Sequence, residues 1–174
     1  MKIAIVILNY NSSDDCRKCI GFLQRQEGIE TEIVVVDNCS RSDDRNAVET
    51  LCAESGATFI ASAENRGYNA GNNIGLRYAA ENGYDCAMQL DADGQHLPRY
   101  IAPMLEKLEA GADIVIGSRF VTVLKPRTLR MVGSYLISWA IRLTTGQPIC
   151  DPTSGMRMFN RRLLEEFAQN LNYG

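Results

Sequence analysis

The residues best placed to do chemistry are bunched in CAMQLDADGQH, residues 86–96, where an apolar run ends in Asp91, Asp93, Gln95 and His96. Two carboxylates this close repel each other unless a cation relieves them. Oxygen-only ligands suit Mg²⁺ or Mn²⁺, which keep positions open for waters and phosphate oxygens. Gln95 can add a neutral oxygen, and His96 a nitrogen where Mn²⁺ is used. Gly94 lets the backbone turn sharply between them. A metal there would bridge a pyrophosphate and stabilise it as a leaving group. A calcium EF-hand is excluded, since its loop needs glycine at position six and a distant Glu. The plainer alternative is a solvated acidic turn, with His96 a structural residue.

The elements that must position this cluster follow from the rhythm of the chain. Residues 3–8, 32–36, 58–62, 86–90 and 113–117 are short apolar runs and predict strands; the first, second and fifth are β-branched, as buried parallel strands tend to be. Helices are expected near 13–27, 43–55, 69–82, 98–110 and 129–143, with a further amphipathic helix near the C-terminus. Pro98 suits a first helical turn. Strand and helix in alternation predict an α/β fold, a mostly parallel sheet covered on both faces. The 174 residues suit one domain, with no internal repeat or linker.

Such sheets bind ligands at the carboxyl ends of their strands. NYNSSD (9–14), DNCSRSD (37–43), ENRGYNAGNNIG (64–75), DADGQH (91–96) and GSRF (117–120) are what follow the five strands. All are polar. The first has no glycine, which argues against a dinucleotide fingerprint and a P-loop. A net charge of −3 gives no footprint for nucleic acid. The six-residue apolar run at the start is too short for a membrane span and lacks a small-residue cleavage site, so it predicts a buried strand in a cytoplasmic protein. The six cysteines fit reducing conditions. Cys16 and Cys19 form one C-x-x-C without a second, so they are expected to be buried thiols rather than zinc ligands.

VILNYNS, VVVDNCSRSD, NRGYNAGNNIGLRYA, LDADGQHLP, IGSRF and DPTSGMRMFNR, in this order, resemble family 2 glycosyltransferases with a GT-A fold. The match runs from about residue 3 to 167. DADGQH and TSGMR are most similar to the branch that holds dolichol-phosphate mannose synthases and to bacterial enzymes of cell-surface polysaccharide biosynthesis. The resemblance implies a nucleotide-diphospho-sugar donor, a divalent metal (Mg²⁺ or Mn²⁺) and inversion at the anomeric carbon. It implies a polyprenyl-phosphate, that is lipid-phosphate, or glycan acceptor.

Residue by residue, the resemblance puts Tyr10 and Asp37 around the nucleobase and ribose. Leu8 falls where the family often has proline, and Asn38 where many members have a second Asp. Ala92 and Asp93 match the diphosphate cradle. Asp91 and Asp93, with Gln95, surround the metal, and Arg119 matches an arginine reaching the donor phosphates. Asn65, Arg66 and Asn69 lie in a segment placed beside the donor. Thr153, Ser154 and Arg157 match the acceptor-side segment, where Asp151 is the candidate base. Simpler roles stand beside these: a helix cap for Asp37, a strand-end aromatic for Tyr10, a surface salt bridge for Arg119 and a turn Asp before Pro152 for Asp151. Gly67, Gly71 and Gly75 recur every four residues, a glycine face suited to donor contact or to tight packing on the sheet. Family members usually continue beyond this length, so the acceptor half, and with it a catalytic base, is expected to be incomplete here. A phosphatase using D-x-D would carry it after the first strand; a nucleotide-sugar-binding module without catalysis is the other rival.

Between Ile114 and Cys150 there is no Asp or Glu, whereas Arg119, Lys125, Arg127, Arg130 and Arg142 lie there. Within this basic zone, Leu129, Val132, Leu136, Trp139 and Leu143 form one helical stripe and Arg130, Ser134, Ser138 and Arg142 another. Two outcomes follow. Either the apolar stripe packs on the core, or it meets the inner face of a membrane.

Overall fold

A computed structural model describes residues 1–25, 28–93, 98–118 and 129–170. The chain forms β1 (Ile3–Asn9), α1 (Ser13–Leu23), β2 (Thr31–Asp37), α2 (Ser42–Ser55), β3 (Thr58–Ala61), α3 (Gly67–Glu81), β4 (Cys86–Gln89), α4 (Ile101–Glu109), β5 (Ile114–Ile116), α5 (Leu129–Thr145), β6 (Arg157–Asn160) and α6 (Arg161–Asn170). A single 3₁₀ turn, Pro98–Tyr100, leads into α4.

The six strands make one sheet in the order β3-β2-β1-β4-β6-β5. β1 pairs in parallel with β2 on one side and β4 on the other. The chain steps outward from β1 through β2 to β3, then returns to β4 on the far side of β1. Right-handed crossovers running in opposite directions place their helices on opposite faces. One apolar cluster accordingly holds Cys16, Ile20 and Leu23 of α1, Val48 and Leu51 of α2, and Met104 and Leu108 of α4. The other holds Leu76, Ala79 and Ala80 of α3 with Leu164 of α6. Alternate residues of β1 feed the two clusters: Ile3, Ile5 and Ile7 the first, Ala4 and Val6 the second.

The sequence does not announce β6. It is four residues long, bounded by Arg157 and Asn160, and it inserts antiparallel between β4 and β5. The sheet is therefore mixed, with one antiparallel strand. Its two middle residues, Met158 and Phe159, are buried on opposite faces, too short a run for a periodicity signal. The expected helix over 13–27 ends at Leu23 as an α-helix, and residues 26–27 lie outside the described chain.

Cys16 and Cys19 are buried, unpaired thiols on α1. Burial pushes the Cys16 thiol up to about 12 and the Cys19 thiol up to about 11, so both stay protonated and inert near neutral pH.

Candidate active site

The strand order reverses at β1 and β4, and the carboxyl ends of these strands bound the crevice where α/β sheets take ligands. The loops after β1 and β2 are stitched to each other. Asn9, wholly buried, directs its amide to Asp37 Oδ1 and Asp44 Oδ1, both at 2.9 Å, and to Ser40 Oγ at 3.1 Å. Its carbonyl oxygen accepts from Ser12 Oγ at 3.0 Å. Ser40 Oγ accepts the Asn11 amide N–H, and Asn11 Oδ1 accepts that of Arg41, each at 2.9 Å. Asn11 and Cys39 hold positive φ angles of 53° and 63°, a strained choice that the lattice of bonds around them sustains. Asp44 Oδ2 takes the Ser13 N–H at 2.9 Å, at the start of α1. Burial pushes the Asp44 carboxyl up, but the bonds from Asn9 and the Ser12–Ser13 turn outweigh it and hold the group below its ordinary range.

This lattice fixes where the expected base-binding residues lie. Asp37 is fully buried and does not cap α2; its Oδ2 accepts the Ser40 N–H at 3.1 Å. It shapes the β2 loop from beneath. Tyr10, by contrast, is 52% exposed at the mouth, free to offer its ring to a base. Asn38 is 3% exposed and ties β2 to the start of α3: its Nδ2 reaches Asn65 Oδ1 at 3.0 Å, and its Oδ1 accepts the Arg66 N–H at 3.0 Å. Asn65 and Asn38 thus form one brace. Arg66 pairs with Glu64 at 2.9 Å on the surface, and Asn69 is exposed in the first turn of α3.

The glycine face resolves toward packing. A Cβ on Gly71 would meet Leu8 Cδ1 at 2.6 Å and Asn38 Cγ at 3.3 Å. One on Gly75 would fall under 3 Å from Val6 Cγ1 and 3.2 Å from Val36 Cγ2. These two glycines set α3 hard on β1 and β2. Gly67 differs, since it opens the helix at φ 78°.

At the end of β4 the motifs meet. Tyr68, in the first turn of α3, donates its hydroxyl to Asp91 Oδ1 at 2.6 Å, and Gln89 Nε2 donates to the Tyr68 oxygen at 2.7 Å. Burial, reinforced by the Asp91 carboxylate, pushes the Tyr68 hydroxyl well above its ordinary value. The other side of the Asp91 carboxylate lies against Gly155, where a Cβ would collide with all three of its terminal atoms. Asp93 is exposed, and its negative charge contributes to raising the Cys19 thiol on α1. Ala92 between them packs against the core. Gln95, His96 and Arg119 lie outside the described residues.

The loop over 151–157, the expected acceptor side, is braced by its own bonds. Asp151 is 1% exposed, and its Oδ1 accepts from Thr153 Oγ1 at 3.2 Å. Ser154 Oγ donates to the Gly117 carbonyl, linking this loop to β5. Arg157 clasps the loop's own carbonyls, Ser154 and Pro152, at 3.0 Å each. The motif residues were legible in the sequence; Asn9, Asp44, Tyr68, Gln89 and Gly155 were missed. A glutamine inside the buried run CAMQL was the available signal, because such a residue needs a partner.

Three or more His, Cys, Asp or Glu side chains do not gather into a metal cage among the described residues. Mg²⁺ and Mn²⁺ ordinarily rely on one or two carboxylates plus substrate phosphates, and Asp91 with Asp93 supplies that donor set. No helix among the described residues is long and apolar enough to cross a membrane.

Solved structures share this architecture. Glucosyl-3-phosphoglycerate synthase from Mycobacterium tuberculosis, in complex with Mn²⁺, uridine diphosphate and glucosyl-3-phosphoglycerate, superposes with a TM-score of 0.67 at 20% identity, over 93% of this chain and 57% of that one. A mannosyltransferase from Pyrobaculum calidifontis in complex with GDP-mannose and Mn²⁺ gives 0.62 at 21% identity, over 94% and 46%. The fold is GT-A. In sequence, the undecaprenyl-phosphate mannosyltransferase of Micrococcus luteus is 31% identical over 168 residues, covering 91% of this chain and 66% of the relative. The chain thus spans about half to two thirds of the length of these proteins. The glycosyl transferase family 2 model matches residues 4–168, nearly the whole chain, and the chain belongs to that family.

Proposed function

We propose that this chain carries the donor site and part of the acceptor site of a hexosyltransferase that moves a sugar from a nucleotide-diphospho-sugar to a polyprenyl phosphate. The observation that carries this reading is the meeting at Asp91 of the donor-side segment, through Tyr68, and the acceptor-side loop, through Gly155. Donor and acceptor motifs that share one carboxylate bound one crevice. Relatives named for undecaprenyl-phosphate and dolichol-phosphate transfer support the lipid-phosphate class.

Tyr10 would stack on the base, over a loop shaped by Asp37 and Asn38. Asp91 and Asp93 would hold a divalent ion, which when bound neutralises charge on the departing diphosphate. Arg119 would share that charge through its planar fork. A phosphate oxygen of the acceptor would attack the anomeric carbon. The bond from that carbon to the diphosphate oxygen would break, and its electron pair would leave with the nucleoside diphosphate. A phosphate acceptor is already anionic and needs no base. A hydroxyl acceptor on a glycan would need a proton removed.

The lipid class also suits α5. Leu136, Trp139 and Leu143 are 61%, 62% and 65% exposed, while Ser134 is 4% exposed on the other stripe. Among the described side chains, these three apolar residues face outward and Ser134 inward, against the core-packing expectation. With no acid between Ile114 and Cys150, the stripe fits the surface of an anionic membrane.

The test is transfer from radiolabelled UDP-, GDP- and dTDP-sugars to polyprenyl phosphate with Mg²⁺ or Mn²⁺, read as organic-extractable label. Label in the lipid is expected. Nucleotide binding without transfer to any acceptor by the full-length protein would leave a binding module instead. In Asp93→Ala, Mn²⁺-dependent nucleotide affinity is expected to vanish with the fold intact. Arg119→Lys is expected to lower turnover more than donor affinity.

A further inference from the structure

We propose that Tyr68, held by Gln89, is the positioning residue for Asp91, and that it sets this carboxylate between the donor site and the acceptor-side loop. The inference rests on the donor-site reading above.

The direction of each bond in the cluster is determined by chemistry. An ionised carboxylate only accepts, so the 2.6 Å contact between Tyr68 and Asp91 Oδ1 must use the phenolic hydrogen. The phenolic oxygen is then left as an acceptor, and the Gln89 amide fills it at 2.7 Å. Gln89 is 5% exposed within a four-residue buried strand. A polar side chain there costs free energy unless it is hydrogen-bonded, and its amide is spent on Tyr68. The chain Gln89 to Tyr68 to Asp91 therefore anchors a half-buried carboxylate to the interior of β4.

The opposite side of Asp91 is held by shape. Its carboxylate lies so near Gly155 that a Cβ at that position would overlap it. Gly155 belongs to the loop braced by Ser154 on the β5 end and by Arg157 on its own carbonyls. Arg157 also faces Gln89 across the β4–β6 ladder, so strand pairing sets the loop and the tyrosine in register. An aspartate on a turn would otherwise sample several rotamers. Here one oxygen is fixed by a hydrogen bond and the other faces the loop's backbone. A carboxylate fixed in this way meets an incoming cation without first being ordered, which lowers the cost of binding. Tyr68→Phe removes only the hydroxyl, and Gly155→Ala pushes the carboxylate from the other side.

Calorimetric titration of full-length protein with GDP and with UDP, each with and without Mn²⁺, separates this role from a general structural one. In wild type, Mn²⁺ is expected to tighten nucleotide binding. In Tyr68→Phe that Mn²⁺-dependent gain should shrink by about tenfold, the scale of one hydrogen bond to a charged group. Metal-free affinity should stay unchanged, while the melting temperature should fall because the buried Gln89 amide loses its acceptor. Gln89→Leu should act in the same direction and less strongly, and Gly155→Ala should also shrink the gain. A Tyr68→Phe protein that keeps the full gain overturns the inference and leaves the donor-site reading standing. Equal losses with and without Mn²⁺ would make Tyr68 a structural residue and also overturn it. A wild type whose affinity ignores Mn²⁺ would overturn the metal reading itself, and this inference with it.

Discussion

Two helices of similar length, α3 and α5, handle glycine and polar side chains in opposite ways. α3 uses Gly71 and Gly75 to press against β1 and β2, and its N-terminal segment is laced to the β2 loop through Asn38 and Asn65. α5 has open space beside Gly133 and turns Leu136, Trp139 and Leu143 to solvent. The region proposed to hold the donor is thus organised by the chain itself. Around α5 an apolar surface is left that the described chain does not cover. A nucleotide needs a preformed cradle for its base and phosphates, whereas a lipid-linked acceptor brings its own apolar environment.

The largest expected effect tests the tightness of α3. Gly75→Ala places a methyl against Val6 and Val36, both fully buried, with no flexible side chain to yield. Overpacking of this kind should destabilise by about 3 kcal/mol, read by urea denaturation. A variant as stable as wild type would show that α3 can lift from the sheet, and the contrast with α5 would weaken.

Asp44 tests the lattice after β1 and β2. Asp44→Asn keeps the shape and loses the charge that Asn9 and Ser13 favour, at an expected cost of about 1–2 kcal/mol at neutral pH. The sign of the pH dependence follows from a folded carboxyl held below its unfolded value. The stabilisation is complete above the ordinary carboxylate range and is lost as pH falls through the depressed folded value. The gap between wild type and variant should therefore close on acidification. A gap constant from pH 7 to pH 2 would remove Asp44 from the lattice.

These two sites also show how much was legible in the sequence. The five strands, the helices between them and the crevice at the strand ends followed from apolar periodicity, because that signal reports burial directly. The sequence places Asp91, Asp93 and Tyr10 at strand ends, and they follow β4 and β1. The lattice did not follow. Whether Asn9 meets Asp37 or Asp44 depends on β1 and β2 lying in parallel register, Asn9 opposite Asp37, which a linear pattern does not contain. Asp37, matched by resemblance, and Asp151, matched by place, are both buried and each accepts a local hydrogen bond, which no linear pattern announces. β6 was hidden by its four-residue length. The glycine spacing left packing and donor contact open, and only the distances to Leu8, Val6 and Val36 decided for packing.

A smaller effect of opposite sign is expected in α5. A Cβ on Gly133 meets nothing within 4 Å, so Gly133→Ala should follow helix propensity alone and stabilise by about 0.5–1 kcal/mol. The same substitution at Gly75 and Gly133 thus moves stability in opposite directions. Destabilisation at Gly133 would mean that α5 packs more closely than its exposure indicates.

Trp139 carries the smallest expected change in stability and the sharpest functional one. It is 62% exposed, so Trp139→Ala should alter folding by less than about 0.5 kcal/mol. It is also the only tryptophan in the chain, so its fluorescence reports on α5 alone. Mixed with anionic phospholipid vesicles, the wild-type protein should show a blue-shifted emission as the indole leaves water, and should pellet with the vesicles. Attraction of basic residues to such a surface is worth about 1 kcal/mol each and is screened by salt. Binding should therefore weaken sharply between low and physiological ionic strength. Changing Lys125, Arg127 and Arg130 together to Gln should weaken it as well, whereas Trp139→Ala should weaken it at every salt concentration, because the lost contribution is apolar. Pelleting that depends on salt but not on Trp139 would assign the contact to charge alone. Emission that ignores vesicles, with no pelleting at any ionic strength, would leave the α5 stripe without a lipid role and the acceptor as a soluble phosphate or glycan.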